Sequence, residues 1–271
     1  MVVLPSKLNW SKDDKKLTAD YFTALVSEFA IETGLSSNGI SEIIFETRDT
    51  LLPSRVELSS ANPNMYTVII KEDLFPLTAN NHKHFMEILE DSRMCENLSY
   101  AKNIFFHELA HVQDNMLRAN LITHLPEKTD DYSLKAQFAL RIWSEFFATK
   151  VAQLYGNRQE RLDARFSELT VALLNGKSTG LTSDYMENYV VTTGYIVGDI
   201  NDLEELEQRI GSLSVDPADE NYVKRSLVDS FFALNTLWND NSRWNSPELL
   251  TNIVQIFDYI ISQIPVTRSN P

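Results

Sequence analysis

The chain has a single cysteine, Cys95, no apolar run approaching a membrane span, and no cluster of basic residues. One thiol cannot form an internal disulfide, which excludes a cystine-stapled scaffold and agrees with a reducing compartment. A membrane helix needs roughly 18 or more uninterrupted apolar residues, and no stretch comes near that. The opening segment, MVVLPSKLNWSKDDKK, lacks an apolar run behind a basic one, so no export signal is read there and the cytoplasm is the expected location. A formal charge of −14 with no local basic patch repels phosphate backbones and anionic lipid surfaces. Nucleic acid and membrane are thereby set aside as partners, and peptides, proteins or small molecules remain. Internal repeats and low-complexity segments are absent as well.

What is present is 271 residues, 43% of them hydrophobic, enough to bury a substantial core. Residues 17–33 place Phe22, Leu25, Val26 and Phe29 at helical spacing, with Thr18 as expected N-cap and Gly34 just past the end. The period then shortens. SEIIFET near 41–47, SRVEL at 54–58 and MYTVII at 65–70 are β-branched or alternating and separated by turn formers. Their connections are too short for crossovers, so a small, mostly antiparallel sheet of about three strands is expected. Helical patterns follow at 80–91, 98–120, 132–155, 158–175, 182–197, 201–211, 217–238 and 247–263, broken by segments such as THLPEKTDD and SLSVDP. The expected fold class is α+β, a small N-terminal sheet packed on a predominantly helical body. Residues 1–155 form the expected core, and residues 156–271 a helical region packed on it.

One stretch carries chemistry. In FFHELAHVQD, His107 and His111 are four residues apart on a helix, so they project from one face one turn apart and can aim at a common point. Zinc suits that point, because it takes neutral imidazoles at about 2 Å and keeps an open position in catalytic sites. Glu108 stands about 100° round the helix from His107, close enough to act on a water there without ligating the ion, which makes it the natural general base. Phe105, Phe106, Leu109, Ala110, Val112, Met116 and Leu117 share an apolar arc. His107, Glu108, His111, Asp114 and Asn115 occupy the rest, an arrangement equally compatible with a solvated face. Rarity favours the site: among five histidines a chance H-E-x-x-H is an event on the order of one in a hundred.

A third ligand is required, and position 117, where a third histidine would extend the motif, is leucine. Glu145, in LRIWSEFFATKVAQ, is the best candidate. Phe138, Ile142, Ala148, Thr149 and Ala152 surround it on the wheel, so its carboxylate faces inward and requires a cation or strong hydrogen bonds. The small Ala148 and Ala152 permit close approach to the motif helix. The competing reading is an ion pair with Arg141, four residues earlier. Asp130, Asp131 and Glu127 are weaker, loop-borne candidates. His82 and His84 in NNHKHF point to different sides of a helix start and read as solvated.

HELAH followed one helix later by SEFFA resembles the gluzincin class of zinc metallopeptidases, over roughly residues 100–155, and the small minigluzincin form is the nearest likeness. The resemblance implies a zinc ion held by His107, His111 and Glu145, a peptide or protein substrate, and substrate pairing along a sheet edge, for which MYTVII is a candidate and a central core strand the alternative. The thermolysin-like branch carries an aspartate four residues after its ligand glutamate; here that position is Thr149. Asp114 is then either the group that orients a ligating imidazole or a surface charge. An oxyanion donor is expected among His124, Tyr132, Tyr185, Tyr189 and Tyr195, by residue type alone. The expected activity is zinc-dependent peptide hydrolysis with Glu108 as general base. The alternatives are a non-enzymatic zincin-like binding or regulatory protein that retains zinc, and a metal-free helical interaction protein.

Overall fold

A computed structural model of the chain describes residues 2–4, 10–46, 54–71, 99–122, 131–179 and 183–262. The chain separates into two compact units, Met1–Met116 with Val151–Asn157, and Leu117–Lys150 with Arg158–Pro271. The class is α+β, with the sheet confined to the first unit.

In the first unit the strands are β1 (Val2–Val3), β2 (Ile40–Glu46), β3 (Arg55–Leu58) and β4 (Tyr66–Lys71), in the order β1-β2-β4-β3. The sheet is mixed rather than mostly antiparallel: β1 pairs β2 and β2 pairs β4 in parallel, and only β3 with β4 is antiparallel. Short connections do not forbid this. The chain runs from β2 out to the edge strand β3, reverses through a hairpin closed by Ser59 N–H to Met65 O (2.9 Å), and returns as β4 between the two. An intervening strand has thus done what a crossover helix does elsewhere. The other parallel pair does use a helix, because α1 (Lys12–Thr33) connects β1 to β2. β4, the MYTVII strand, is therefore interior, with Thr67 to Ile70 all buried, and among the described residues the sheet edges belong to β1 and β3.

Helix α1 begins before the expected residue 17. Ser11 is the N-cap, its Oγ accepting from the Asp14 N–H at 3.0 Å, and Asp13 and Asp14 add favourable charge in the first turn. Thr18 is instead a buried residue of the helix interior. Gly34 closes the helix at φ 68, a left-handed turn glycine adopts without steric cost, and donates to Ala30 O. The inner face of α1 meets the sheet and the first part of α2 (Ser99–Ile122) through aromatic side chains. Phe22 lies 4.5 Å from Phe45 and 5.7 Å from Phe105 between ring centres, and Phe29 meets Phe106 edge-on at 5.3 Å. Each fully buried phenylalanine of this kind contributes about 1.5–3 kcal/mol.

The second unit is built of helices: the body of α3 (Asp131–Ala152), α4 (Arg158–Thr179), α5 (Ser183–Asp199), α6 (Leu203–Gly211), α7 (Pro217–Asn239), a 3₁₀ turn (Asn241–Arg243) and α8 (Pro247–Ser262). Its core holds Trp143, Phe146 and Phe147 of α3, against which pack the half-buried Trp238 and Trp244, whose rings stand 4.9 Å apart. Trp244 is fixed there by its indole N–H donating to Leu237 O. Arg161 of α4 clamps the buried Asp199 of α5 through two bonds of 2.9 and 2.7 Å. The turn before α7 is held by Asp216, which accepts from the N–H groups of Ala218 and Asp219, with Pro217 entering the first turn. Asp216→Ala is expected to lower unfolding free energy by about 1 kcal/mol, read as a lower urea midpoint at unchanged slope. Among the described residues no helix is long and apolar enough to cross a membrane.

Candidate metal centre

The apolar arc of α2 sets the rotation of the motif helix. Phe105, Phe106, Leu109, Ala110 and Val112 are completely buried, which turns His107 and His111 away from that side, both half-buried. Their Nε2 atoms are 3.0 Å apart, with the rings nearly perpendicular at 86°. Two neighbours on the same helix exclude a solvated polar face: Glu108 is 7% exposed and Asp114 only 1%. Asp114 is accordingly not a surface charge.

Glu145 lies on α3, flanked by the buried Ile142 and Phe146. The competing ion pair is not formed, since Arg141 is turned outward and pairs with Glu187. Within the first unit, Asn103 of α2 donates to Ala152 O at the end of α3 (2.7 Å). His107 is one turn beyond Asn103, and Glu145 two turns back from Ala152 along the same unbroken helix. His107, His111 and Glu145 come together as a group whose ligand atoms all lie within 4.8 Å of one another, and this group could hold a metal ion.

The donors fit an ion. Bonds of about 2 Å at the tetrahedral angle separate ligand atoms by roughly 3.3 Å, and the two imidazole nitrogens already stand 3.0 Å apart. Two imidazoles and a carboxylate are a donor set that zinc and several other first-row dications accept.

Other expected residues fall elsewhere. His82, His84, His124, Glu127 and Asp130 lie outside the described residues, as do the side chains of Asp131 and Tyr132 at the start of α3. Tyr185 and Tyr189 belong to a buried tyrosine cluster with Tyr222, and the Tyr189 hydroxyl is 2.5 Å from Ser226 Oγ. Burial pushes the Tyr185 hydroxyl up to about 12 and raises that of Tyr189 as well, so both are neutral core groups. Thr149 is buried against α5, where a Cβ built on Gly198 would stand 2.7 Å from its own Cβ. It is a packing residue, and its hydroxyl has no hydrogen-bond partner among the described residues.

Two residues were not anticipated. Gly194 of α5 backs directly onto Glu145, since a Cβ added there would lie 2.9 Å from the glutamate Cβ and 2.7 Å from Ile142 O. Arg165 of α4 stacks its guanidinium 3.8 Å over the ring of Tyr195, the residue after that glycine. The glycine was legible in principle, because Gly194 and Gly198 stand four apart inside a helical pattern. The arginine had no local signal, as nothing near it in sequence belongs to the motif.

No known family model matches the chain, and neither a curated protein nor a solved structure shows detectable similarity to it.

Proposed function

We propose that this chain is a zinc-dependent peptidase of gluzincin type, with His107, His111 and Glu145 as the metal ligands and Glu108 as general base. The observation that carries the reading is the convergence of those three ligand atoms beside a buried glutamate that is not one of them. When bound, zinc supplies Lewis-acid polarisation of a carbonyl and a lowered pKa for water. The protein's own work is proton transfer and positioning. Glu108 takes the proton of the attacking water at a carboxylate oxygen and returns it to the leaving amine nitrogen. Its burial favours this role, because a carboxylate shielded from bulk water exchanges its proton with the reacting groups rather than with solvent. Among the described residues β3 is paired on one side only, and its other side offers backbone groups for an extended peptide, a mode of binding that makes little demand on peptide sequence.

The test is metal analysis followed by substrate profiling. Purified protein is expected to bind about one zinc per chain, and the double variant His107→Ala/His111→Ala to bind none. The zinc-loaded protein is expected to cleave members of an unstructured peptide library, scored by mass spectrometry, with cleavage lost on chelation and restored by zinc. A fully loaded protein that leaves the library intact would remove the peptidase reading and leave a metal-binding protein.

A further inference from the structure

Arg165 is a side chain whose chemistry the hydrolytic reading leaves unused. It lies on α4, half-buried, with its guanidinium flat against Tyr195 at 3.8 Å. Among the described residues its hydrogen bond runs from Nη1 to Glu168, at 2.7 Å. That partner is a half-exposed carboxylate three residues on along the same helix, the kind of pairing that contributes little and is readily exchanged. Nε and Nη2 donate to no acceptor among the described residues. Stacking on a tyrosine holds the guanidinium plane while leaving its donor edge available, which suits the two-pronged recognition of a carboxylate.

Its location gives the feature meaning. Tyr195 follows Gly194, and Gly194 backs onto the Cβ of Glu145, so the arginine stands beside a residue adjoining the glutamate ligand. Burial works against its charge, yet Tyr195, then Glu168 and Glu145, hold its pKa above the ordinary arginine value. A fixed cation at that place is conspicuous in a chain with a net charge of −14. It does not help bind the metal: a positive charge near a dication opposes it. A role toward something negative that enters the centre is the better account.

Resting on the reading of His107, His111 and Glu145 as metal ligands, we infer that Arg165, held by Tyr195, selects substrates that present a carboxylate close to the scissile bond. The carboxylate is either the free C-terminus of the peptide or an acidic side chain. Two arginine N–H donors, at Nε and Nη2, pair with its two oxygens, while Nη1 keeps its bond to Glu168.

The test measures binding, not turnover. Three short peptidyl hydroxamates, which grip zinc through two oxygens, are titrated calorimetrically into zinc-loaded protein: one with a free C-terminal carboxylate, its C-terminal amide, and the amide carrying an aspartate side chain. The native protein is expected to bind one of the two carboxylate probes about tenfold more tightly than the plain amide, and which one identifies the source. In Arg165→Met this advantage disappears, while affinity for the plain amide and zinc content stay unchanged. Arg165→Lys, which keeps charge without the fork, retains only part of it. Equal affinity for all three probes in the native loaded protein overturns the proposal and leaves the metal centre standing, as does a preference that survives Arg165→Met. Failure to load zinc and to bind any hydroxamate overturns the metal reading itself, and the proposal with it.

Discussion

Replacing Glu108 by glutamine is expected to leave about one zinc bound per chain and to lower peptide hydrolysis by roughly two to four orders of magnitude, the range typical for loss of a positioned general base. The substitution is nearly isosteric, so the packing around this 7%-exposed side chain is kept, and only the ability to accept a proton is removed. Zinc is retained because Glu108 is not among the converging ligand atoms. The measurement is paired: metal content by atomic absorption, and initial rates on the best substrate from the peptide library. A structural or regulatory zinc protein gives a different pattern, with no turnover in either form and no change in partner binding. Equal turnover by native protein and Glu108→Gln would defeat the proposed base. The comparison with Asp114 sharpens the point, since Asp114 is still more deeply buried on the same helix but is not next to either histidine in the chain, whereas Glu108 directly follows His107. The prediction for Glu108 therefore rests on its burial beside His107 and not on burial alone.

That distinction shows what a single sequence can and cannot reveal. His107 and His111 were legible because helical spacing is local physics, and Glu145 because an inward carboxylate surrounded by Phe138, Ile142 and Ala148 demands compensation. The α+β class followed from changes of period, and the end of α1 at Gly34 from the ease with which glycine turns left-handed. The start of α1 was misread because both Ser11 and Thr18 are capping residue types. What separates them is that Thr18 points into the core, a tertiary fact. Strand β1 has only two residues, Val2 and Val3, too few to show a period. The parallel pairing of β2 with β4 depends on which strand the chain visits between them, and order in a sheet is not encoded in any one strand. The polar arc of α2 looked equally suited to water or to a site, because a helical wheel describes one helix and not what covers it. For the same reason Arg165 escaped notice, and Gly194, whose spacing from Gly198 was its one local sign, matters through residues of α3 distant in sequence.

Gly194→Ala is expected to weaken zinc binding by about 10–100-fold, the range found when a group that orients a metal ligand is disturbed. The added Cβ would meet Ile142 O at 2.7 Å, Glu145 Cβ at 2.9 Å and Phe146 N at 3.1 Å. Two of those three atoms belong to the α3 backbone and cannot swing aside as a side-chain tip would, so the helix carrying Glu145 has to move. Overpacking of this kind typically costs about 1–3 kcal/mol of stability, and a stability loss alone would not demonstrate positioning. Gly198→Ala separates the two effects. Its Cβ would meet Thr149 Cβ at 2.7 Å and Phe146 O at 3.0 Å, one turn further along the same helix contact and away from Glu145. Both variants are expected to melt at lower temperature, but competition titration against a zinc indicator should show a large affinity loss only in Gly194→Ala. Gly211→Ala, where nothing lies within 4 Å, is the control expected to leave zinc binding intact. Equal zinc loss in Gly194→Ala and Gly198→Ala would mean that the helix contact merely stabilises the unit. Loss confined to Gly194→Ala would mean that the bare backbone at that position holds the glutamate carboxylate within reach of the two histidines.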